Sequence, residues 1–207
     1  MKPLYLKNRV VGLLGGSFNP AHEGHLHISE HALKKLGMDE VWWLVSPHNP
    51  LKNKDDLADY KKRMDSAKAQ ARHKHIYVTD LESRCGLTHT WQTVAYLQGR
   101  YPATHFVWMM GADNLSQFHR WENWEWLCEN IPIVVFDRVP YSHNSKHEKT
   151  YQRMRPFLLK DNELIGDFEA PALRFIHMKR NNTSATSLRN SLGKQAFLGH
   201  NKGVGQV

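Results

Sequence analysis

Short apolar runs alternate with longer amphipathic stretches along most of the chain, a pattern typical of strands and helices in an α/β protein. The apolar, β-branched runs predict strands at Arg9–Leu14, Val41–Ser46, His75–Thr79, His105–Met110, Ile131–Phe136 and Leu173–Met178. Helical spacing of apolar residues predicts helices at His25–Leu36, Asp56–Arg72, Thr90–Leu97, Trp121–Glu129 and Ser184–Leu192. Strands that alternate with helices imply a parallel sheet covered on both faces. We therefore expect a doubly wound α/β fold with a short C-terminal helical segment.

No feature of the sequence divides the chain into separate units. Its 207 residues contain no internal repeat and no low-complexity segment, and this length suits one domain. The polar segment Tyr141–Lys149 predicts a loop and not a domain boundary, because a strand pattern resumes after it. The prediction is a single domain over residues 1–207, with its core in residues 9–192.

Composition and charge narrow the function only slightly. The chain has 28 Lys and Arg against 20 Asp and Glu, a net charge of +8, which favours anionic partners such as nucleic acid, anionic lipid or small phosphorylated substrates. The two cysteines, Cys85 and Cys128, have no metal-ligand spacing, which predicts a reduced, cytoplasmic protein. No apolar window has the length of a membrane span, and the N-terminal run VVGLL is too short for a signal sequence. Export or membrane insertion is therefore not expected.

The first candidate site is the segment Gly15–His25 (GGSFNPAHEGH), which follows the first predicted strand and opens the first helix. Ligands of open α/β sheets bind at this end of the strands, and a helix start presents N–H groups and a positive dipole end to phosphate. Imidazoles at such a site can donate hydrogen bonds to phosphoryl oxygens. A pair of histidines three residues apart arises easily by chance in a chain with 14 of them, but its position directly after a glycine turn favours a site. The residues expected to bind nucleotide here are Gly15, Gly16, Ser17 and Phe18.

Missing motifs exclude two common nucleotide-binding classes. The chain has no GxxxxGK[ST] segment, which excludes the phosphate loop of kinases and ATPases. It also has no GxGxxG after the first strand, and the second strand ends in Ser46-Pro47 without an acid to hold a ribose hydroxyl. These two absences exclude the dinucleotide-dependent dehydrogenases.

A second candidate site lies near the C-terminus in Thr183–Arg189 (TSATSLR). Thr183 or Ser184 can cap a short helix whose start would bind a second phosphate group, and Arg189 lies about one turn further along. The alternative is a capped surface helix with an exposed arginine.

Together the two motifs resemble those of the HxGH nucleotidylyltransferase superfamily, whose fold is Rossmann-like. The pattern H-x-G-H is matched by His22, Gly24 and His25. The pattern S-x-T-x-x-R is matched by Ser184, Thr186 and Arg189, in the right order at the other end of the chain.

The middle of the chain resembles bacterial nicotinate-nucleotide adenylyltransferases, and the resemblance runs from Arg9 to Leu192. The matching segments are Ser46–Lys52, Leu87–Thr93, Gly111–Asp113 with Phe118 and Trp121, and Asp137–Pro140. Two departures are Leu51, where the family has a histidine, and a C-terminus without the family's usual last helix.

The resemblance implies a role for each matching residue. His22 and His25 would bind the ATP phosphates and stabilise the transition state, and Arg189 would act with them. Trp121 would stack on the nicotinate ring, with a core or lid tryptophan as the alternative; Arg138 would lie near the substrate, or else be an exposed arginine. Asp113 would contact the ATP ribose, or else cap a loop. Phosphate contacts would come from Lys52, Ser184 and Thr186, and backbone amides near Thr88 and Thr90 would hold the nicotinate carboxylate.

The implied reaction transfers AMP from ATP to nicotinate mononucleotide, with Mg²⁺ carried on the ATP phosphates and no metal site built from protein ligands. The partners would be ATP and nicotinate mononucleotide, without nucleic acid or membrane, and the oligomeric state is left open. A phosphopantetheine or FMN adenylyltransferase of the same superfamily is the nearest alternative. A basic nucleic-acid-binding protein would need a continuous basic face and steep salt dependence. A nucleotide sensor without activity would not need both histidines.

Overall fold

Six parallel strands form one sheet in the computed structural model, which describes residues 8–47, 57–137, 149–160, 163, 165–167 and 169–178. The strands are β1 Val10–Gly16, β2 Glu40–Val45, β3 Ile76–Thr79, β4 His105–Gly111, β5 Ile133–Asp137 and β6 Leu173–His177. All six predicted strands are confirmed, with ends that differ by at most two residues from the sequence pattern.

Seven α-helices lie in the described residues: α1 Glu23–Lys35, α2 Tyr60–Gln70, α3 Leu81–Cys85, α4 Thr90–Arg100, α5 Ala112–Phe118, α6 Trp124–Asn130 and α7 Lys149–Met154. The four predicted helices in this part of the chain are confirmed in kind, although two start later than expected. Three short helices, α3, α5 and α7, were not predicted, and Lys149 belongs to α7 and not to a loop. None of the described helices combines the length and the apolar composition needed to cross a membrane.

The strand order is β3-β2-β1-β4-β5-β6. The chain builds the sheet outward from β1 to β3, then returns to place β4 on the other side of β1, so the direction of winding reverses between β1 and β4. This order confirms the expected doubly wound, Rossmann-like fold. Ligands of such sheets bind outside the carboxyl ends of the strands where the winding reverses, so the turns after β1 and β4 frame the candidate site.

Apolar side chains cover both faces of the sheet, as expected for parallel strands. In β1, Leu14 packs into one buried cluster with Trp43 and Ala32. Val11 and Leu13 point to the opposite face and pack into the second cluster. Burial on both faces holds the carboxyl end of β1 rigidly, and the candidate nucleotide turn begins at that end.

Candidate active site

The turn after β1 has a backbone conformation that ordinary residues adopt at a cost. Phe18 has φ of 46°, in the left-handed region where a non-glycine residue is uncommon. Its side chain is 1% exposed and stacks on Trp43 with 5.1 Å between ring centroids. The buried ring holds the strained backbone in place, and strain of this kind clusters at functional sites. The turn is therefore a fixed feature of the fold, as the sequence motif suggested.

His22 and His25 cap the start of α1 by exchanging hydrogen bonds with its backbone. The Nδ1 atom of His22 accepts from the amide of Gly24 at 3.1 Å. The Nδ1 atom of His25 accepts from the amide of His22 at 3.2 Å. The two imidazoles thus form a capping box, which joins the N-cap residue, His22, to the third residue of the helix, His25.

This capping fixes the proton on each ring. In a neutral imidazole one nitrogen accepts and the other carries the hydrogen, so Nδ1 as acceptor places the proton of both rings on Nε2. The ring centroids of His22 and His25 are 3.9 Å apart, and His22 is only 7% exposed. The start of α1 therefore holds two adjacent Nε2–H donors where its dipole favours an anion.

The two glycines at the end of β1 have different surroundings. A side chain at Gly15 would place its Cβ 2.5 Å from the Trp108 ring, so β1 needs glycine here for packing against β4. A Cβ at Gly16 would meet the Phe18 ring at 3.4 Å, a much milder contact. Gly15 thus has a packing reason that the sequence motif did not reveal.

Asp113 lies across the point of reversal from the histidines. It stands in the first turn of α5, directly after β4 ends at Gly111, and its side chain is exposed. A Cβ at Gly111 would lie 2.5 Å from the Asp113 Oδ1 atom, so glycine lets this carboxylate fold close to the strand end.

The candidate carboxylate-binding amides precede α4, and two of them are already bonded. The Oε1 atom of Gln92 accepts from the amides of Thr88 at 3.0 Å and His89 at 3.1 Å. The amide of Thr90, at the first position of α4, donates to no backbone or side-chain acceptor among the described residues. Of the three amides near this turn, only that of Thr90 is then available to a ligand without moving Gln92.

Trp121 lies in the turn between α5 and α6, half-buried. Its ring packs edge-on against Trp108 at 6.0 Å and obliquely against Phe118 at 5.0 Å. Trp124 and Trp126 pack against the same core cluster.

Sequence reasoning missed a bridge that joins Trp121's turn to the start of α4. Glu122 accepts a hydrogen bond from the Trp91 Nε1 atom at 3.2 Å through one oxygen. Its other oxygen lies 3.3 Å from the His89 Nε2 atom. The two segments that the sequence proposes around the nicotinate ring are therefore linked by one side chain. No local motif marks this link, because Trp91 and Glu122 are 31 positions apart.

Sequence reasoning also missed Arg63 of α2, a residue that is 1% exposed. It donates to the carbonyls of Ser17 at 2.8 Å, Ser46 at 2.7 Å and Pro47 at 2.9 Å. A signal was present, since Arg63 falls on the helical stripe of Tyr60 and Ala67 at spacings of three and four. A charged residue within an apolar stripe indicates a buried ion or a special contact.

A buried acid, Glu82, supports α4 from α3. Burial raises the pKa of Glu82 to about 7, and a hydrogen bond from the hydroxyl of Thr93 opposes that rise. The Thr93 Oγ1 atom lies 3.0 Å from Oε1 of Glu82, and Thr93 itself is fully buried. At neutral pH this carboxyl is therefore close to its titration midpoint.

Five of the candidate residues lie outside the described part of the chain. They are Lys52, Arg138, Ser184, Thr186 and Arg189.

Comparison with known proteins identifies a family of nucleotide-transferring enzymes. Residues 13–191 match the family model described as cytidylyltransferase-like. A protein of Parvibaculum lavamentivorans named "probable nicotinate-nucleotide adenylyltransferase" is 44% identical over 185 residues, covering 88% of this chain and 92% of that protein. A protein of the same name from Ruegeria pomeroyi is 39% identical over 196 residues, covering 94% of this chain and 92% of that protein.

The fold is also similar to that of Plasmodium falciparum nicotinic acid mononucleotide adenylyltransferase complexed with NaAD. The TM-score is 0.68 over 88% of this chain and 83% of that one, at 16% identity, which concerns the fold alone. The family match over most of the chain and the high identity of relatives over nearly their full length lead to one conclusion. The chain belongs to the cytidylyltransferase-like family and, within it, to the nicotinate-nucleotide adenylyltransferases.

Proposed function

We infer that the protein is a nicotinate-nucleotide adenylyltransferase, which transfers AMP from ATP to nicotinate mononucleotide and releases pyrophosphate and deamido-NAD. The observation that carries this inference is the pair of imidazoles capping α1. The Nδ1 atom of each ring accepts a backbone hydrogen bond, which leaves the proton of each neutral ring on Nε2, at a helix start that follows a strained, buried turn. Family membership makes adenylyl transfer the chemistry that this arrangement serves.

In the proposed mechanism the 5′-phosphate of nicotinate mononucleotide attacks the α-phosphorus of ATP in line, and pyrophosphate leaves. His22 and His25 donate hydrogen bonds from Nε2 to phosphoryl oxygens, where negative charge grows in the transition state. Ser184, Thr186, Arg189 and Lys52 are proposed to hold the phosphates of the leaving group. The remaining rate enhancement comes from alignment of the two substrates.

A covalent route through a cysteine does not suit the described residues. Burial raises the pKa of the Cys128 thiol to about 12, so it stays protonated and unreactive. Cys85 is exposed at the end of α3, which follows β3, and β2 lies between β3 and β1 in the sheet. Direct transfer between the substrates is therefore the mechanism that we propose.

The second substrate is proposed to bind between the start of α4 and the turn before α6. Trp121 stacks on the nicotinate ring, and the amide of Thr90 donates to the nicotinate carboxylate. Because Gln92 holds the amides of Thr88 and His89, those two take part only if Gln92 turns away. Asp113 is proposed to contact the ATP ribose, and Arg138 to lie near the mononucleotide.

Magnesium enters the proposal as an ion carried on the ATP phosphates. Among the described residues, no group of three or more His, Cys, Asp or Glu side chains lies together as a metal site. A magnesium ion that keeps its waters and its phosphate ligands needs few or no ligands from the protein. The cytoplasmic location expected from the sequence stays a prediction.

The proposal is tested by mixing the protein and ATP with each candidate acceptor and measuring pyrophosphate release. The acceptors are nicotinate mononucleotide, nicotinamide mononucleotide, FMN and phosphopantetheine. We expect kcat/KM for nicotinate mononucleotide to exceed that for the amide by about tenfold or more, because the amide sets a donor against a backbone donor. Equal values for the two mononucleotides would contradict the nicotinate assignment.

Replacing Trp121 by alanine tests the ring contact in the same assay. Trp121→Ala should weaken both mononucleotides and leave their ratio nearly unchanged, since either ring stacks on the indole. Trp124→Ala is the matched control, because it removes an indole from the same region that packs against Arg153, with 5.9 Å between the guanidinium carbon and the ring centroid, and the proposal gives it no contact with substrate. A ratio that collapses in Trp121→Ala would show that the indole, and not the backbone donors, sets the choice.

A further inference from the structure

A buried cation is hydrogen-bonded to the turn after β1, the turn that the proposed function gives to the ATP phosphates. The Arg63 guanidinium makes four hydrogen bonds, all to backbone carbonyls: those of Ala58, Ser17, Ser46 and Pro47, at 2.7–3.0 Å. These acceptors belong to the turn after β1, the end of β2 and the approach to α2. A single side chain thus ties together three segments at the carboxyl edge of the sheet.

Within the described part of the chain no acid forms an ion pair with Arg63, although the charge of Asp59 acts on the guanidinium from further away. The Tyr60 ring centroid lies 5.2 Å from the guanidinium carbon. Burial lowers the pKa of Arg63, but an arginine stays protonated at any physiological pH. Carbonyl dipoles solvate the ion without cancelling its charge, and a buried charge without a counter-ion is expensive.

The residues that carry those carbonyls connect the charge with the proposed phosphate site. One of them is on Ser17, in the turn that the proposed function gives to the ATP phosphates. Two others, on Ser46 and Pro47, begin the segment that leads to Lys52. A charge in a protein interior is screened by salt far less than one on the surface, so it acts on a nearby anion through the protein.

We propose that Arg63 is a positioning residue of the phosphate site, which holds the turn after β1 against the end of β2 and supplies a buried positive charge that the ligand's polyphosphate neutralises. This inference rests on the proposed function, because it takes the turn after β1 as the phosphate-binding element. Ligand binding then supplies an anion of a kind that the described residues do not place in direct contact with Arg63. The cost of burying the charge is carried without the ligand, and polyphosphate binding offsets part of it.

The experiment compares Arg63→Lys, which keeps the charge but loses the planar fork, with Arg63→Met, which loses both. Binding of inorganic tripolyphosphate is measured by calorimetry, and kcat and KM are measured with ATP. Through an effective dielectric constant of about 20, loss of a unit charge roughly 10 Å from a single phosphate charge weakens binding by about tenfold, so the loss for a polyanion should be tenfold or more. We expect that loss in Arg63→Met, while Arg63→Lys keeps the parent's dissociation constant within about threefold and loses kcat through misplacement of the turn.

Lys61→Met is the matched control, because it removes a positive charge from the same helix at a side chain that is 83% exposed and paired with Asp65. It should bind tripolyphosphate like the parent.

Equal losses of affinity in Arg63→Lys and Arg63→Met would overturn the role of the charge, as would parent-like binding by Arg63→Met. If Arg63→Met does not fold, Arg63→Lys decides alone: a folded lysine variant whose affinity falls tenfold overturns the proposal. A parent that binds tripolyphosphate but makes no dinucleotide would refute the proposed function and leave this inference standing.

Discussion

The two sides of the proposed site are built differently. The phosphate side consists of residues 17–25, and its geometry is fixed by backbone hydrogen bonds and buried side chains. Phe18 is buried, His22 and His25 are hydrogen-bonded to the helix start, and Arg63 holds the turn. On the ring side, residues 88–92 and 118–122, exposed or half-exposed side chains make the links, through Gln92 and Glu122. The phosphate side is suited to the chemistry that all adenylyl transfer shares. The ring side is suited to selecting the acceptor, and single substitutions there can change which acceptor is preferred.

The difference extends to the charges that support each side. Arg63 keeps its charge at all physiological pH values, so the phosphate side should not depend on pH through its support. Glu82, which supports α4 on the ring side, has a pKa of about 7 and changes charge within that range. The comparison therefore predicts that the support of the ring side through Glu82 changes with pH and that the support of the phosphate side through Arg63 does not.

The largest expected effect tests the phosphate side. His25→Ala should lower kcat by about a hundredfold or more, because it removes one donor to the transition state. It also removes the cap on the His22 amide, so the free energy of unfolding should fall by about 1 kcal/mol. Both quantities are measurable on the purified protein, by steady-state kinetics and by thermal unfolding.

His27→Ala is the control for that experiment, since His27 lies on the same helix with an exposed side chain. It should leave kcat near the parent value. A folded His25→Ala protein with near-normal turnover would remove the main support of the proposed function.

The turn and the helix start of the phosphate side are also the part of the site whose local structure the sequence predicted. The motif is local: two glycines and two histidines within eleven residues follow a buried strand, so the strand end, the turn and the helix start are indicated together. The strands were predictable for the same reason, because each is a short apolar run. The helices α3, α5 and α7 were not, because five to seven residues are too few to show a helical period.

What the sequence could not predict depends on contacts between distant segments. Arg63 reaches the Ser17 carbonyl across 46 positions, and Glu122 reaches Trp91 across 31. Nothing near Gln92 shows that its side chain would occupy the amides of Thr88 and His89. The residue types were visible, but their partners are set by the packing of α2, α4 and α5 onto the sheet.

The next effect is on stability and concerns Glu82. A carboxyl whose folded pKa is raised stabilises the protein fully below its unfolded pKa of 4.5, and this contribution is lost as pH rises through about 7. From pH 5 to pH 8 the parent should lose about 2–3 kcal/mol of unfolding free energy through this group. Glu82→Gln, which keeps an acceptor for Thr93, should lack that loss and be the more stable protein at pH 8.

Urea unfolding at pH 5 and pH 8 measures the difference, with Glu125→Gln as the control because Glu125 is exposed and paired with Arg153. A Glu82→Gln protein that loses as much stability as the parent between the two pH values would show that Glu82 is ionised throughout. The ring side would then be no more sensitive to pH than the phosphate side.

The smallest expected effect tests the bridge on the ring side. Glu122 is about half exposed, with 52% of its side-chain surface accessible, so its bonds to Trp91 and His89 are weak, about 0.2–1 kcal/mol, or at most about fivefold in a binding constant. Because the bridge joins Trp121's turn to the start of α4, Glu122→Ala should raise KM for the mononucleotide by that factor. KM for ATP should stay at the parent value, since none of the bridging atoms belongs to the phosphate side.

A double-mutant cycle separates the bridge from a general loss of stability. Trp91→Phe keeps an aromatic ring beside Trp126 and removes the Nε1 donor. If the bridge positions the pocket, Trp91→Phe and Glu122→Ala should each raise the mononucleotide KM, and the double variant should be little worse than Glu122→Ala alone. Glu125→Ala, three positions further along and paired with Arg153, should leave that KM unchanged. Strict additivity of the two substitutions, or an equal rise in KM for ATP, would mean that the bridge does not position the acceptor. The two sides of the site would then differ in construction without differing in function.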